Sequence, residues 1–316
     1  MSQTGAIPGD LRVVFAGTPE VAVPSLRALV EAGAHVVAVV TRPDAPLGRK
    51  RVLTPSPVAQ AAEELGIPTV KAARLDDEAT AAIGEYAPDL GVIVAYGGLV
   101  REPLLSAPAH GWINLHFSLL PAWRGAAPVQ RSLMAGDEVT GAAVFQLVPA
   151  LDAGDVFGQI EYAPGADETA GDVLEALSHR GSSLLTEVVA QIADGTASAL
   201  PQQGEPTLAP KLSLADGLLD FTLPATEVLA RFRGVTPEPG AHTTLAGERF
   251  KIQAAGRVRG AEAQLLPGAV ASTKGGVLVG TGTDPIFVSR VQPAGKAAMA
   301  ADAWFRGQRG DVELGS

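Results

Sequence analysis

Short apolar runs and stretches of helical spacing alternate through the first two-thirds of the chain. Residues 11–16 form an apolar run stopped by Gly17, Thr18 and Pro19, and residues 22–32 carry apolar side chains three and four apart. Residues 36–40 repeat the run and residues 58–65 the helix. Ser56 followed by Pro57 marks that helix's start, because Ser caps and Pro suits the first helical position. A helix over 77–86 then precedes a run at 90–95, a strand at 112–115, a helix at 129–135 and a further run at 142–148. Such alternation predicts an α/β domain with a doubly wound, mostly parallel (Rossmann-like) sheet. Ligands of such sheets bind beyond the carboxyl ends of the strands, where Gly17, Thr18, Tyr96, Gly97, residues 114–118 and Asp152 are all expected.

An amphipathic helix over about 170–193 closes this first domain, read as residues 1–195. Residues 196–210, rich in Gly, Pro, Gln and Thr, read as a linker. From residue 211 to 316 the pattern changes to short β-like runs at 249–253, 276–280 and 285–291, after a helix at 225–232. A small, mostly-β unit is expected there.

Composition narrows the chemistry. The 316 residues are 47% apolar and only 5% aromatic, which suits layered α/β structure better than a β-sandwich. Without cysteine there is no disulfide, no thiolate metal site and no cysteine nucleophile. The histidines, His35, His110, His116, His179 and His242, are scattered without zinc-ligand spacing, so no metal is expected. No apolar run approaches the roughly 18 residues a membrane span needs. The first ten residues lack a basic-then-apolar signal pattern. A cytoplasmic protein with no membrane partner, working as a monomer, is the expectation.

A net charge of −10 argues at first against nucleic acid, but the charge is unevenly spread. Residues 1–210 hold 12 basic against 24 acidic side chains, whereas residues 211–316 hold 12 against 10. A specific partner needs only a local basic surface. Arg231, Arg233, Arg249, Lys251, Arg257, Arg259 and Lys274 either supply one or are ordinary solvated charges.

The densest chemistry lies in residues 111–125. Strand side chains alternate, so Asn114 and His116 share a face while Ile113 and Leu115 take the other. A carboxamide donor beside an imidazole at a strand end can stabilise an oxyanion and move a proton. Asp152, heading a Gly-containing turn after the 142–148 run, is either a third member or a turn cap, and Asp155 reads as a turn residue. Ser118 has no Gly-x-Ser-x-Gly elbow around it and is not a nucleophile. Arg124 either binds an anion or pairs with a carboxylate. Gly17-Thr-Pro-Glu20 has one glycine where a dinucleotide fold has GxGxxG, which argues against a dinucleotide site.

These residues carry a resemblance. The strings Asn114-Leu-His-Phe-Ser-Leu-Leu-Pro121 and Leu151-Asp-Ala-Gly154 resemble the formyl-folate transferase and hydrolase superfamily. Phe15-Ala-Gly-Thr-Pro-Glu20, Arg42-Pro-Asp-Ala-Pro-Leu-Gly-Arg49, Val94-Ala-Tyr-Gly97, Trp123-Arg-Gly-Ala-Ala-Pro-Val-Gln130, Ala209-Pro-Lys-Leu-Ser213 and Gln292-Pro-Ala-Gly-Lys296 extend it from about residue 11 to about residue 306. They are most similar to the branch whose acceptor is methionine esterified to initiator tRNA.

The resemblance implies transfer of the formyl group of 10-formyltetrahydrofolate to that methionine's α-amine, in translation initiation. It implies Asn114, His116 and Asp152 as catalytic residues. Tyr96, Gly97, Ser118, Leu119, Leu120 and Pro121 would line the folate pocket. Arg49, Lys50 and Arg51, in a Pro/Gly-rich loop over 43–57, would engage the tRNA acceptor end, and an OB-like barrel at 211–316 would contact tRNA. The loop lacks the family's usual second glycine, with Lys50 following Arg49 directly. In the implied mechanism Asn114 and the imidazolium of His116 donate to the oxyanion, and Asp152 orients His116 and raises its pKa. Two alternatives stay open: a related formyl-folate enzyme acting on a small amine (a nucleotide-sugar or glycinamide ribonucleotide), and a folate- or tRNA-binding protein without catalysis.

Overall fold

The computed structural model describes residues 7, 9–48, 50–258 and 264–315. The chain divides into two compact units. One comprises Met1–Pro128, Thr140–Ala163 and Leu174–Ala209, the other Val129–Val139, Pro164–Val173 and Pro210–Ser316.

The first unit opens with β1 (Arg12–Gly17), α1 (Val23–Glu31), β2 (His35–Thr41) and a two-stranded hairpin of β3 (Ala45–Leu47) and β4 (Val52–Thr54). There follow α2 (Pro57–Glu64), β5 (Thr69–Lys71), α3 (Asp77–Gly84), β6 (Leu90–Val94) and β7 (Trp112–His116). After β8 (Arg124–Gly125) the chain runs into α4 (Pro128–Ala135), returns as β9 (Thr140–Gln146) and β10 (Val156–Tyr162), and continues through α5 (Ala170–Asp194) to β11 (Leu208–Ala209).

Local chemistry accounts for the helix starts. The Ser56 hydroxyl accepts the Ala59 N–H at 3.0 Å, with Pro57 opening α2, and the Asp76 carboxylate accepts the Ala79 N–H at 3.1 Å to start α3.

The main sheet has seven strands in the order β10-β9-β7-β6-β1-β2-β5. β1, β2, β5, β6 and β7 are parallel, as the alternation predicts. β5 and β10 carry too little apolar periodicity to be read from sequence, the first being three residues long and the second a half-exposed edge strand.

One expectation is corrected. β9 runs antiparallel to β7, with Gln146 beside Ile113, so the end of β9 lies at the start of β7 rather than at a carboxyl end of the parallel strands. Asp152 is carried to His116 by residues 147–151, which lead away from that strand end. β9 lies inside the sheet and is antiparallel to both β7 and β10; a mixed sheet of this kind is common, and strand direction leaves no period-based trace in the sequence.

Segment 196–210 is anchored along the first unit. Leu200 exchanges both backbone hydrogen bonds with Val156, at 2.8 and 2.9 Å, and β11 pairs in parallel with β8.

The second unit contains α6 (Ala225–Gly234), β12 (His242–Leu245), β13 (Glu248–Arg257), β14 (Val270–Thr273), β15 (Gly276–Val279), β16 (Ile286–Gln292), β17 (Met299–Ala300) and α7 (Ala301–Arg306). Its antiparallel sheet has the order β12-β13-β16-β15-β14, with β17 also on β16. The expected mostly-β unit is therefore present. Alternate residues of these strands, among them Phe250, Ile252, Val277, Val279, Ile286 and Val288, bury against Val228 and Phe232 of α6 and Trp304 of α7. The Phe250 and Trp304 rings stack at a tilt, 4.6 Å between centroids.

Of the basic residues singled out here, Arg257 and Lys274 are exposed, whereas Arg231, Arg233, Arg249 and Lys251 are partly buried. Arg259 lies outside the described residues. Among the described residues no helix is long and apolar enough to cross a membrane.

Candidate active site

A cavity of about 800 Å³ opens beside the C-terminal half of β7. Asn114, His116 and Asp152 all line it, together with Tyr96, Gly97, the 98–102 loop, Gly125 and residues 147–151. The strand places Asn114 and His116 on one face, as alternation requires. On the other, Leu115 packs against Gly181 of α5.

Asn114 pairs through its backbone ladder with Ile93 on one side and Phe145 on the other, so its Cα is fixed by a central strand. Its carboxamide makes no hydrogen bond among the described residues, which leaves both N–H groups for a ligand.

His116 is buried, at 6% exposure. One ring nitrogen, Nε2, lies 2.9 Å from the Trp123 carbonyl oxygen. A carbonyl only accepts, so Nε2 carries the proton and Nδ1 is the basic nitrogen of the neutral ring. Nδ1 faces the Asp152 carboxylate at 4.0 Å, too long for a hydrogen bond but close enough for charge to be felt. Burial pushes the pKa of His116 below its ordinary value, while Asp152 and the Trp123 carbonyl push it the other way without reversing the shift. Asp152 thus acts on His116 in the expected direction, but burial is the larger influence and favours the neutral imidazole.

Asp152 occupies a left-handed backbone conformation, φ 44°, off any strand. Its Oδ2 accepts the Gly125 N–H at 2.8 Å. The glycine two residues on has a steric reason: a Cβ on Gly154 would lie 1.7 Å from the Gln146 carbonyl oxygen. Ala95, φ 49°, also lines the cavity, and Trp123, φ 61°, supplies the carbonyl behind His116. Sparsely populated backbone of this kind gathers where geometry is functional.

The other candidates divide. The Tyr96 ring is buried, its hydroxyl donating to the Ala72 carbonyl at 3.0 Å, and burial pushes its phenol pKa up. Tyr96 therefore serves the pocket as wall and backbone rather than as an acid. Gly97 turns there at φ 78°. Ser118, Leu119, Leu120 and Pro121 do not line the cavity. The Ser118 hydroxyl closes its own loop on the Ala122 carbonyl at 2.6 Å, and Leu120 packs with Ala143 and Phe145.

Lys50 and Arg51 are exposed next to the turn between β3 and β4, and Arg49 lies outside the described residues. The hairpin also exposes Leu47, Val52 and Leu53, each at least 60% accessible. The Arg124 fork holds the Gln202 side-chain oxygen at 3.1 and 2.6 Å, and among the described residues it forms no ion pair with a carboxylate. Among the described residues no group of three His, Asp or Glu side chains lies close enough to hold a metal ion.

Residues 11–189 match the formyl transferase family and residues 211–309 its C-terminal domain. The chain belongs to the formyl transferase family. It is 61% identical over 305 residues to the methionyl-tRNA formyltransferase of Leifsonia xyli subsp. xyli, covering 96% of this chain and 100% of that one. To the methionyl-tRNA formyltransferase of Arthrobacter sp. it is 57% identical over 298 residues, covering 94% and 97%.

Among solved structures, the N-formyltransferase from Helicobacter canadensis in complex with folinic acid and dTDP-3-aminofucose aligns with TM-score 0.67 at 14% identity, over 89% of this chain and 98% of that one. HypX from Aquifex aeolicus in complex with tetrahydrofolic acid aligns with TM-score 0.63 at 15% identity. This chain spans 50% of HypX, and 96% of this chain is covered. At these identities the likeness is one of fold.

Four residues of this formyl transferase escaped the sequence reading: Trp123, Gly125, Gln202 and Thr207. Trp123 and Gly125 stand inside a string that pointed to the family, so a signal was present without a role attached. Gln202 and Thr207 lie in a segment whose composition reads only as linker.

Proposed function

We propose that this formyl transferase moves the formyl group of 10-formyltetrahydrofolate to the α-amine of methionine on initiator Met-tRNA, in the cytoplasm and as a monomer. The observation that carries the chemistry is the unpartnered Asn114 carboxamide in the same cavity lining as His116, whose basic Nδ1 faces the Asp152 carboxylate. The likeness to methionyl-tRNA formyltransferases over nearly the whole chain supports the acceptor. The cavity's volume, its apolar walls and a few converging polar groups suit a drug-sized ligand such as a pterin with its side chain.

When bound, the formyl-folate supplies a formyl carbon attached to nitrogen, open to attack by an amine. Asn114 donates its N–H groups to the formyl oxygen as negative charge builds there, a contribution of roughly 3–4 kcal/mol. His116 Nδ1 takes the proton released by the attacking amine. The resulting imidazolium is held by Asp152 on one side and the Trp123 carbonyl on the other. The proton then passes to the departing nitrogen as its bond to the formyl carbon breaks. His116 thus works first as base, and it supports the oxyanion only after it is charged.

Lys50 and Arg51 at the exposed hairpin, with Arg49 beside them, meet the acceptor end of the tRNA, and residues 211–316 supply further phosphate contacts. If so, the tRNA affinity falls steeply with salt, since each phosphate neutralised releases counterions.

The test is formyl transfer from 10-formyltetrahydrofolate to initiator and elongator Met-tRNA side by side. Transfer to the initiator alone is the expected result. Transfer to neither, with the folate still bound, would redirect the assignment to a small amine acceptor.

A further inference from the structure

We propose that residues 202–209 form a positioning strap that sets the geometry of the His116–Asp152 pair, with Gln202 and Thr207 as its positioning residues. The inference rests on the formyl-transfer reading and deepens it. Apolar burial does not explain the path of this segment: Thr207 is exposed, Leu208 is 64% accessible, and only Ala209 is buried. Directed polar contacts hold it, and they converge on the two loops that support the pair.

At one end, the Thr207 hydroxyl accepts the Trp123 N–H at 2.9 Å and the Thr207 carbonyl accepts the Arg124 N–H at 2.8 Å. These bonds help keep Trp123 in its left-handed conformation, and that conformation aims its carbonyl at Nε2 of His116.

At the other end, Nε2 of Gln202 donates to the carbonyls of both Asp152 and Gly154, each at 2.8 Å, while its Oε1 accepts from the Arg124 guanidinium. The two ends meet at Gly125, which follows Arg124 and donates to the Asp152 carboxylate.

Neither Gln202 nor Thr207 touches the ring of His116. Each acts through a neighbour. Because the 4.0 Å gap between Nδ1 and Oδ2 is wider than a hydrogen bond, it is maintained from behind rather than by mutual attraction. Among the described residues the Asp152 carboxylate, the Trp123 carbonyl and the Phe145 ring face His116, so loosening either end of the strap alters the placement of the carboxylate and the carbonyl.

The experiment compares Gln202→Met, Thr207→Val, Thr207→Ser and the neighbouring exposed Gln203→Ala. It reads kcat, KM for 10-formyltetrahydrofolate, Tm, and the His116 side-chain titration by nitrogen-15 NMR in the free protein, assigned with His116→Ala. Gln202→Met and Thr207→Val are expected to lower kcat by about 10- to 100-fold, the scale of a small misplacement, while KM for the formyl donor stays within about twofold. Both should also move the His116 titration midpoint. Thr207→Ser restores kcat and midpoint, and Gln203→Ala leaves both unchanged.

A lowered Tm with an unmoved His116 titration, or a Thr207→Ser enzyme as slow as Thr207→Val, would overturn the strap. The titration uses neither tRNA nor folate. If the wild-type protein formylated no tRNA, the activity assignment would fail while the titration still decided the strap.

Discussion

Asn114 and Asp152 face the same cavity and are held there in opposite ways. Asn114 sits inside a seven-stranded sheet, with backbone partners at Ile93 and Phe145, and its direction follows from strand register. Asp152 sits on a left-handed turn, positioned through the Gly125 N–H and the Gln202 carboxamide. A register error would flip Asn114 to the wrong face outright, which a sheet buried on both sides forbids. A loop-held carboxylate can instead drift by tenths of an ångström at little cost. In the proposed mechanism the oxyanion donor is thus built on the sheet, and the carboxylate beside His116 is built on loops.

The comparison breaks most sharply when either reacting group is removed. Asn114→Ala should lower kcat about 10²- to 10³-fold, and His116→Ala about 10²- to 10⁴-fold. Tm should stay near that of the wild type in both, as checked by steady-state formylation alongside a thermal melt. Unchanged turnover in one of them removes that residue from the mechanism.

A milder break comes through the loop side alone. Gly154→Ala brings a Cβ against the Gln146 carbonyl, so the turn must move. The expected cost is about 1–3 kcal/mol of stability together with a fall in kcat, because Asp152 moves with the turn. A full-rate Gly154→Ala enzyme would show that the turn's position does not matter.

The pH profile sharpens the same contrast. Burial holds the folded pKa of His116 below its ordinary value of about 6.5, so the acidic limb of kcat/KM should lie below that pH. Asp152→Asn removes the anion that opposes burial and should shift the limb further towards acid as it slows the reaction. Stability has the matching sign. The unfolded chain takes up the His116 proton first as pH falls, so this contribution is fully present above about 6.5 and is lost as pH falls through the lower folded value. An acidic limb above 6.5 would contradict the neutral resting state.

The smallest effect lies away from the site. In the second unit Asp216 accepts from the Ser213 N–H and hydroxyl in a capping box and pairs with Arg131 at 2.9 Å. Asp216→Ala should lower stability by about 1–2 kcal/mol, seen in a denaturant melt, and leave kcat unaltered.

Much of the fold was legible because periodicity reports local burial. The parallel strands β1, β2, β6 and β7 and the helices α2, α4, α5 and α6 all left apolar runs or helical spacing in the sequence. Ser56 announced the start of α2 by its capping chemistry. Asn114, His116 and Asp152 were legible as residue types in a family pattern, and Asn114 and His116 also through strand alternation. What could not be read is non-local. The reversed direction of β9, the tautomer that the Trp123 carbonyl imposes on His116, and the role of Gln202, 50 residues from the carbonyl it holds, leave no trace in neighbouring side chains.

The sequence by itself therefore determined the layered α/β unit, the mostly-β unit after it and the residue types that the cavity gathers at Asn114, His116 and Asp152, because hydrophobic period and side-chain chemistry are carried residue by residue. Only the tertiary structure decided which nitrogen of His116 is basic, how far Asp152 stands from it and what holds them apart. Those depend on backbone groups brought together from distant parts of the chain, and every residue carries the same backbone groups.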